Sequence, residues 1–337
     1  MVLSGPPPTT ALALIRARRA LAAAGLDPTL PLERAASATN EVWYAGRSVL
    51  RLGPRGDGRL SREAELVPLV PGELGYPPVV AAGSDASVDW LITRRVPGLP
   101  LSRCWPGMDD DRRERAVHQV AAKLAALHRT QADLHLPPPL RAPQLLDPAA
   151  RGGRRAVLPL LAALDRAVNL PFVDRRVLAD AADLARTTAT ALDPWPAPGM
   201  VHGDVHFENV LWDGRSVTAV LDLEWCRPGP PDLDLDVLLR FCELPFLHVA
   251  PDYEHLTRAE DYQRVPWWLA DAYPDLFTVP RQLDRMRLYA LAFDTRDLLD
   301  DPPRRPVREL SGQHAWHRLV RTVSGTSHLD RLALAIR

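Results

Sequence analysis

The chain has 337 residues, 46% of them hydrophobic, which is enough to bury one large core or two modest ones. Its 41 basic and 42 acidic residues give a formal net charge of -1, so no overall basic field is available to attract a nucleic acid. Only one of the basic residues, Lys123, is a lysine, and it does not stand in a GxxxxGKS/T sequence. The sequence therefore excludes a phosphate-binding loop of that type and predicts no nucleic-acid partner.

The cysteines and the N-terminal segment indicate a compartment. Cys104, Cys226 and Cys242 are far apart and odd in number, which excludes a disulfide framework and a CxxC zinc site. Three arginines interrupt the apolar N-terminal stretch, and no run of eighteen apolar residues occurs. We therefore expect a cytoplasmic protein in a reducing environment, with no membrane partner.

The first hundred residues combine one leading helix with short strand-like segments. A helix is predicted over ALALIRARRALAAA, from a cap at Thr9 or Thr10 to Gly25. The segments VWYAG, SVLRL, PPVVAAG and VDWLITRRV are rich in β-branched and aromatic residues and predict strands. SREAELVPLV, between the second and third strands, predicts a short helix. The pattern favours a small sheet with one helix, followed by a Pro- and Gly-rich joint, VPGLPLSRCWPGM.

The second part of the chain is predicted to be mostly helical. DDDRRERAVHQVAAKLAALHRT begins with three aspartates and places apolar residues on one face, which predicts a helix. Residues 155–192 and 233–299 carry apolar residues at three- and four-residue intervals and predict further helices, the second range with proline breaks. Between them, residues 199–226 form a non-helical island, GMVHGDVHFENVLWDGRSVTAVLDLEWC.

This island concentrates polar side chains between hydrophobic ones. Asp204 and Asn209 stand five residues apart, and Asp222 follows Asn209 by thirteen. The Asp-Gly pair at 213 and 214 predicts a hairpin turn that returns Asp222 to the other two. The D-x-x-x-x-N spacing matches a kinase catalytic loop, in which the aspartate receives the substrate hydroxyl and the asparagine reaches Mg²⁺. We therefore predict that Asp204 is catalytic and that Asn209 and Asp222 are Mg²⁺ ligands.

Through HGDVHFEN and the following LDLEW, the sequence resembles the aminoglycoside phosphotransferase family, a branch of the protein-kinase-like fold. GPPDLDL resembles that family's G-D-P-x-x-D-L segment, which places Asp234 at its structural aspartate. In VLRL, Arg51 stands at the strand position of the family's phosphate-binding cation, and REAELV offers Glu63 as the helix acid that pairs with it. WLITRRVPGLPL resembles the hinge, whose backbone around Arg94 to Val96 would contact the purine.

The resemblance implies a fold and a reaction. The fold is α+β and bilobal, protein-kinase-like, with a nucleotide-binding lobe over residues 1–96 and a helical lobe over residues 97–337. The reaction is Mg²⁺-dependent transfer of the γ-phosphoryl group of ATP or GTP to a hydroxyl of a small molecule. The family-level expectation is inactivation of an aminoglycoside, macrolide or nucleoside antibiotic. The loop over the triphosphate, AASATN, has no glycine, and the hydroxyls of Ser37 and Thr39 are expected to substitute in part.

The histidines of the island are predicted to support the loop. His202 would hold it by hydrogen bonds, and His206 would stand behind the reacting groups. A zinc site is a competing hypothesis, because residues 202, 204 and 206 could share one face. The sequence shows no remote third histidine at a zinc-site spacing, and an asparagine is a poor zinc ligand. His128, at the end of an apolar helix face, is predicted to be a buried, hydrogen-bonded histidine.

The region that would bind the acceptor gives the weakest signal in the sequence. Residues 222–300 hold sixteen acids and eight arginines, which indicates either a solvated helical surface or a cleft for a polar or cationic acceptor. Three other functions stay open: a metabolite kinase acting on an amino alcohol or sugar, a pseudokinase-like binding protein, and a metallohydrolase that uses HGDVH. The pseudokinase-like hypothesis rests on Arg51, which stands where the family is expected to have a lysine, and on the absence of glycine from AASATN.

Overall fold

The computed structural model describes residues 11–37, 40–53, 57–85, 88–131, 145–146, 152–193 and 199–335. The chain divides into two compact units. Of the described residues, the first unit comprises those within 11–131 and 199–273, and the second comprises those within 145–193 and 274–335. The lobe boundary predicted after residue 96 falls inside the first unit and stays a prediction.

The described part of the chain forms ten strands and twelve α-helices. The strands are β1 (Leu32–Ala35), β2 (Glu41–Ala45), β3 (Ser48–Gly53), β4 (Val79–Asp85), β5 (Val88–Arg94), β6 (Leu99–Pro100), β7 (Gly199–Val201), β8 (Val210–Trp212), β9 (Val217–Val220) and β10 (Arg227–Gly229). The α-helices are α1 (Ala11–Ala23), α2 (Arg59–Leu66), α3 (Leu101–Cys104), α4 (Asp110–Arg129), α5 (Gly153–Ala156), α6 (Leu158–Ala167), α7 (Arg175–Thr188), α8 (Asp232–Glu243), α9 (Val265–Ala272), α10 (Gln282–Asp300), α11 (Ala315–Val323) and α12 (His328–Ala335). The second unit contains α5–α7 and α10–α12, and the first contains the other helices and these strands.

The first unit begins with a five-stranded antiparallel sheet in the order β1-β2-β3-β5-β4. Its register pairs Trp43 with Leu50 and Leu50 with Ile92, and all three are buried. Because side chains alternate along a strand, these partners share one face. Helix α1 joins the same core through residues such as Ala17 and Leu21. The predicted leading helix and small sheet are confirmed, although β1, with the sequence LERA, has no β-branched residue and gives no strand signal.

The helix predictions are confirmed in part. Helix α4 matches its prediction, and the side chain of Asp109 caps it by accepting a hydrogen bond from the amide of Arg112 at 2.9 Å. Residues 155–192, predicted to be helical, form the end of α5 followed by α6 and α7, with a break that the apolar spacing does not indicate. Between α6 and α7, Phe172 has a φ of 64°, which no helix residue adopts. The predicted cap at Thr9 or Thr10 lies outside the described residues.

The island at residues 199–226 builds two small sheets of the first unit. Strands β8 and β9 form the predicted hairpin, and Asp213 closes its turn by accepting hydrogen bonds from the amides of Arg215 and Ser216 at 2.9 and 2.7 Å. Strand β6 pairs with β8, whereas β7 pairs with β10. The polar residues of the island therefore lie between β7 and β8 and directly after β9.

The second unit is helical and is held by buried ion pairs. Arg318 of α11 donates hydrogen bonds to Asp294 and Asp297 of α10, each at 2.7 Å. These acids belong to the predicted surplus of negative charge, and both are buried. Within the described residues, no helix of either unit is both long enough and apolar enough to cross a membrane.

Helix α2 depends on a cap from a neighbouring strand. The N-terminus of α2 has no side-chain cap from its own flanking residue Gly58, and the buried Asp89 of β5 accepts the amide hydrogen of Leu60 at 2.9 Å. Asp89→Ala should lower the free energy of unfolding by about 1–2 kcal/mol, measured by urea denaturation, because that amide loses its acceptor. Glu65→Ala, an exposed change on the same helix, should shift it by less than about 0.5 kcal/mol. Equal effects would contradict the assignment of the cap.

Candidate active site

A buried carboxylate shapes the turn that carries Asp204. The side chain of Asp234, at the start of α8, accepts hydrogen bonds from the amides of His202 at 2.8 Å and Gly203 at 2.7 Å. His128 of α4 contacts the same carboxylate through Nε2 at 2.9 Å. Burial would raise the pKa of Asp234, but the hydrogen bond from His128 keeps it below its usual range. The structure thus places Asp234 against the backbone of the loop.

Glycine at position 203 is a steric requirement of this turn. Gly203 has a φ of 81°, and a Cβ there would lie 2.5 Å from Nη1 of Arg227 and 2.7 Å from the carbonyl oxygen of Trp225. Either contact is too close for a side chain. The neighbouring His202 is engaged through both ring nitrogens, since Nε2 contacts the carbonyl oxygen of Leu221 at 2.8 Å and Nδ1 accepts from the amide of Asp204 at 3.3 Å. His202 therefore has no nitrogen left to join a zinc site at residues 202, 204 and 206.

Asn209 forms hydrogen bonds to Asp204 and to the residue that precedes Asp222. The side-chain amide of Asn209 donates to the carbonyl oxygen of Asp204 at 3.0 Å. The backbone carbonyl of Asn209 accepts from the amide of Leu221 at 2.8 Å, and Leu221 immediately precedes Asp222. Asn209 therefore lies between the turn of Asp204 and the end of β9, and its amide oxygen is left as a potential metal ligand.

Arg51 joins Asp222 to the sheet. From β3, its Nη1 donates to both carboxylate oxygens of Glu63, at 2.8 and 2.7 Å, and its Nη2 donates to Oδ1 of Asp222 at 2.8 Å. Asp222 has a φ of 66°, a left-handed conformation that aspartate tolerates better than most residues. The predicted pair of cation and helix acid is thus in direct contact, and its cation also touches a predicted Mg²⁺ ligand.

Glu63 gathers four hydrogen bonds although it is fully buried. Besides Arg51, the hydroxyl of Tyr76 donates to it at 2.7 Å and the amide of Leu223 at 2.9 Å. Burial raises the pKa of Glu63, and the positive charge of Arg51 opposes that shift. Glu65, two residues further along α2, is exposed.

Two residues that sequence reasoning missed extend this network. Glu224 lies in LDLEW, two residues after Asp222, and Arg59 of α2 donates to it at 2.7 Å. Ligand oxygens of Glu63, Asp222 and Glu224 all lie within 4.8 Å of one another. Burial, together with the charge of Asp222, raises the pKa of Glu224 to about 8. The signal was an acid next to a predicted metal ligand, but its partner stands 165 residues earlier in the chain.

Arg103 was also missed, and it connects three segments. Its guanidinium contacts the carboxylate of Glu208, with Nε at 2.9 Å from Oε1, and donates to the carbonyl oxygen of Ala36 at 3.0 Å. It also lies 4.3 Å from the ring centre of Tyr253. Ser102 donates a further hydrogen bond to Glu208. Glu208, next to Asn209, is thus tied to the start of the loop after β1.

The loop after β1 and the predicted hinge hold the other residues that were predicted to contact the nucleotide. The hydroxyl of Ser37 donates to the carbonyl oxygen of Asn40 at 2.6 Å, so it closes its own loop, and Thr39 lies outside the described residues. In the predicted hinge, the amide of Arg94 donates to the carbonyl oxygen of Pro78 at 2.9 Å, and that of Arg95 to Arg47 at 2.8 Å. The amides of Arg94 and Arg95 are thus engaged within the fold, and a purine contact at Val96 stays a prediction.

Histidines surround the carboxylate of Asp204, which is 36% exposed. Nε2 of His206 lies 3.7 Å from Oδ2 of Asp204, and the rings of His206 and His248 are 4.8 Å apart. Burial would raise the pKa of Asp204, but His206 holds it well below its usual range. Asp204 is therefore ionised at neutral pH and accepts hydrogen bonds. His248 gave no sequence signal, because it stands 42 residues after His206 and belongs to no motif with it.

The ion pair of Arg51 and Glu63 should contribute to the free energy of unfolding. Arg51→Met leaves the carboxylate of Glu63, which is 0% exposed, without its cation, and should lower the free energy of unfolding by about 3 kcal/mol. Arg51→Met/Glu63→Gln should recover part of that loss, because the fully buried carboxylate is removed with its cation, whereas the half-buried Asp222 still lacks Arg51. Urea denaturation measures both, with Arg47→Met as the exposed control on the same hairpin. An equal loss in the single and double variants would show that Arg51 acts by packing alone.

The central part of the chain matches a known protein family. A model described as the phosphotransferase enzyme family matches residues 30–268. The aminoglycoside 3'-phosphotransferase of Streptomyces fradiae is 32% identical over 173 residues, which are 50% of this chain and 58% of that protein. The match therefore spans less than two thirds of the length of that relative.

Solved structures share the fold. The crystal structure of aminoglycoside phosphotransferase APH(4)-Ia gives a TM-score of 0.60 at 17% identity, covering 94% of this chain and 99% of that chain. The ADP-bound structure of APH(2'')-Ib gives 0.58 at 14% identity, covering 89% of this chain and 95% of that one. The predicted α+β, kinase-like fold class is thus confirmed, and so is a phosphotransferase at the level of the family. Because the family model covers more than half of the sequence, the chain belongs to the phosphotransferase enzyme family.

Proposed function

We propose that the protein transfers the γ-phosphoryl group of ATP or GTP to a hydroxyl of a small-molecule antibiotic, with Mg²⁺ as cofactor. The observation that carries the proposal is that Asn209 bonds both the turn of Asp204 and Leu221, the neighbour of Asp222, while Asp222 bonds the Arg51 that is paired with Glu63. Family membership and the nucleotide-bound relatives support it. Since nucleoside triphosphates are cytoplasmic substrates, we also propose a cytoplasmic location.

Asp204 would orient the acceptor hydroxyl. Phosphoryl transfer passes through a loose transition state, so the proton of the hydroxyl leaves late and a weak base is sufficient. A carboxylate with a lowered pKa is such a weak base. Asp204 would therefore accept the hydrogen bond of the hydroxyl, hold its oxygen in line with the phosphorus atom, and take the proton as the new bond forms.

Asn209, Asp222 and Arg51 would handle the donor. The amide oxygen of Asn209 and the carboxylate of Asp222 are hard donors of the kind that suits Mg²⁺, which when bound would offset the charge of the triphosphate. Arg51 would add a positive charge on the side of the sheet, held in direction by both oxygens of Glu63. One related structure is bound to ADP and another is a ternary complex with ATP, which supports a nucleotide donor here.

An aminoglycoside is the acceptor that we favour. The relative from Streptomyces fradiae is an aminoglycoside 3'-phosphotransferase, and related structures contain hygromycin B and streptomycin. In this chain, the exposed acids Asp252 and Glu254 flank Tyr253, whose ring contacts Arg103 and through it the catalytic loop. A polycationic acceptor would be attracted to this acidic segment.

Turnover with a panel of acceptors tests the reaction. Wild-type protein with radiolabelled ATP or GTP should phosphorylate at least one member of a panel of aminoglycosides, macrolides, nucleoside antibiotics, amino alcohols and sugars. Asp204→Asn should lower kcat about 10³-fold while the nucleotide Kd, measured by calorimetry, changes less than about threefold. The exposed Asp271→Asn is the control. Wild-type turnover by Asp204→Asn would rule the mechanism out.

The same panel separates the other candidate functions. Transfer to an amino alcohol or sugar alone would make the protein a metabolite kinase. Nucleotide binding with no turnover on any acceptor would favour a pseudokinase-like binding protein. Hydrolysis that requires zinc and no nucleotide would favour a metallohydrolase.

Charge removal tests the acceptor class. The variant Asp252→Asn/Glu254→Gln should raise the KM for an aminoglycoside about tenfold at low salt and less at 1 M salt, since exposed charges are screened. Its KM for nucleotide should not change. Glu65→Gln/Glu73→Gln, which removes two exposed acids elsewhere in the first unit, should leave both values unchanged. An unchanged aminoglycoside KM in the first variant would remove this segment from the acceptor site.

A further inference from the structure

Beside the proposed reaction centre lies a group of side chains with the chemistry of a transition-metal site. Asp204, His206 and His248 each offer one ligand atom, and these atoms lie within 4.8 Å of one another. Asn209 and Asp222, the proposed Mg²⁺ ligands, are oxygen donors, whereas two members of this group are imidazoles. The two sets therefore differ in the ions that they favour.

The fold holds both imidazoles in place. The ring of Phe241 packs against His206 at 6.0 Å and against His248 at 5.9 Å, measured between ring centres. His248 follows a short turn, which its amide closes by donating to the carbonyl oxygen of Pro245 at 3.1 Å. Within the described residues, Nδ1 of His206 is buried and has no hydrogen-bond partner. Nε2 of the same ring is the nitrogen that faces Asp204, at 3.7 Å from Oδ2, so it is the atom that His206 offers to an ion shared with that carboxylate.

We propose that Asp204, His206 and His248 bind Zn²⁺ and that the bound ion inhibits the enzyme. Two histidines and one carboxylate form a known type of three-residue zinc set, which leaves a fourth position for water. The ligand atoms must move closer together on binding, and the partly exposed carboxylate of Asp204 is the member that would rotate toward the two packed imidazoles. Inhibition follows because the Asp204 carboxylate then ligates the ion and no longer accepts the acceptor hydroxyl. That consequence rests on the proposed function, whereas zinc binding does not.

Metal titration tests the site without any assay of activity. Chelator-stripped wild-type protein is titrated with Zn²⁺ at pH 8 against a chromophoric chelator and should bind one ion tightly. His248→Phe keeps an aromatic ring against Phe241 but removes the ligand nitrogen, and should weaken this binding by at least about 100-fold. His255→Phe, an exposed histidine on the following segment, is the matched control and should bind as the wild type does. Thermal unfolding in EDTA checks that each variant is folded.

A second probe needs no variant. Co²⁺ added to wild-type protein should give the visible absorption of a four- or five-coordinate ion, and Zn²⁺ should abolish it. Phosphoryl transfer with excess Mg²⁺ should fall on addition of one equivalent of Zn²⁺, recover with chelator, and resist Zn²⁺ in His248→Phe. Zinc binding without inhibition would keep the site and overturn its inhibitory role. Absence of the tight ion, or its equal retention in His248→Phe, would overturn the site itself.

Discussion

A single buried carboxylate, that of Glu63, sets the geometry on which the rest of the site depends. It has no contact with solvent, and it accepts hydrogen bonds from Arg51, from Tyr76 and from the amide of Leu223. A buried charge is tolerated when it is paired and its lone pairs are filled, so each of these groups is held in one position. The sheet, helix α2 and the segment after Asp222 are thereby fixed to one another.

Asp234 performs the same task on the other side of the catalytic loop. It accepts two successive backbone amides and the ring of His128, so the turn at Gly203 is fixed by charge-assisted hydrogen bonds rather than by packing alone. The reactive carboxylate of Asp204 is itself more exposed. Rigid buried acids thus position a solvent-accessible one, which is the arrangement that a preorganised site requires.

The sequence predicts contacts between near neighbours better than contacts between distant ones. Asp204, Asn209 and Asp222 could be placed together because a two-residue Asp-Gly turn fixes how the chain returns. Arg103 and Glu208 stand 105 residues apart, and no local pattern records which arginine among forty meets which acid. The contact of Arg51 with Glu63 was within reach of a family resemblance, whereas its second contact, with Asp222, depends on the packing of separate elements.

Local rules also failed where a weak signal opposed a strong one. The apolar spacing of residues 155–192 predicts helix throughout the range. Pro171, a residue type that commonly ends a helix, lies where the chain turns between α6 and α7. Strand β1 shows the reverse case, because LERA has no β propensity and becomes a strand by pairing with β2. A local residue thus decides the first case, and pairing with a neighbouring strand decides the second.

The positive φ of Asp222 restricts how this position can evolve. Aspartate, asparagine and glycine occupy the left-handed region with little strain, whereas β-branched residues are strained there. Of the well-tolerated types, aspartate alone carries a negative charge. Backbone and chemistry therefore favour the same amino acid for independent reasons, since asparagine or glycine would keep the shape of the chain and give up the charge.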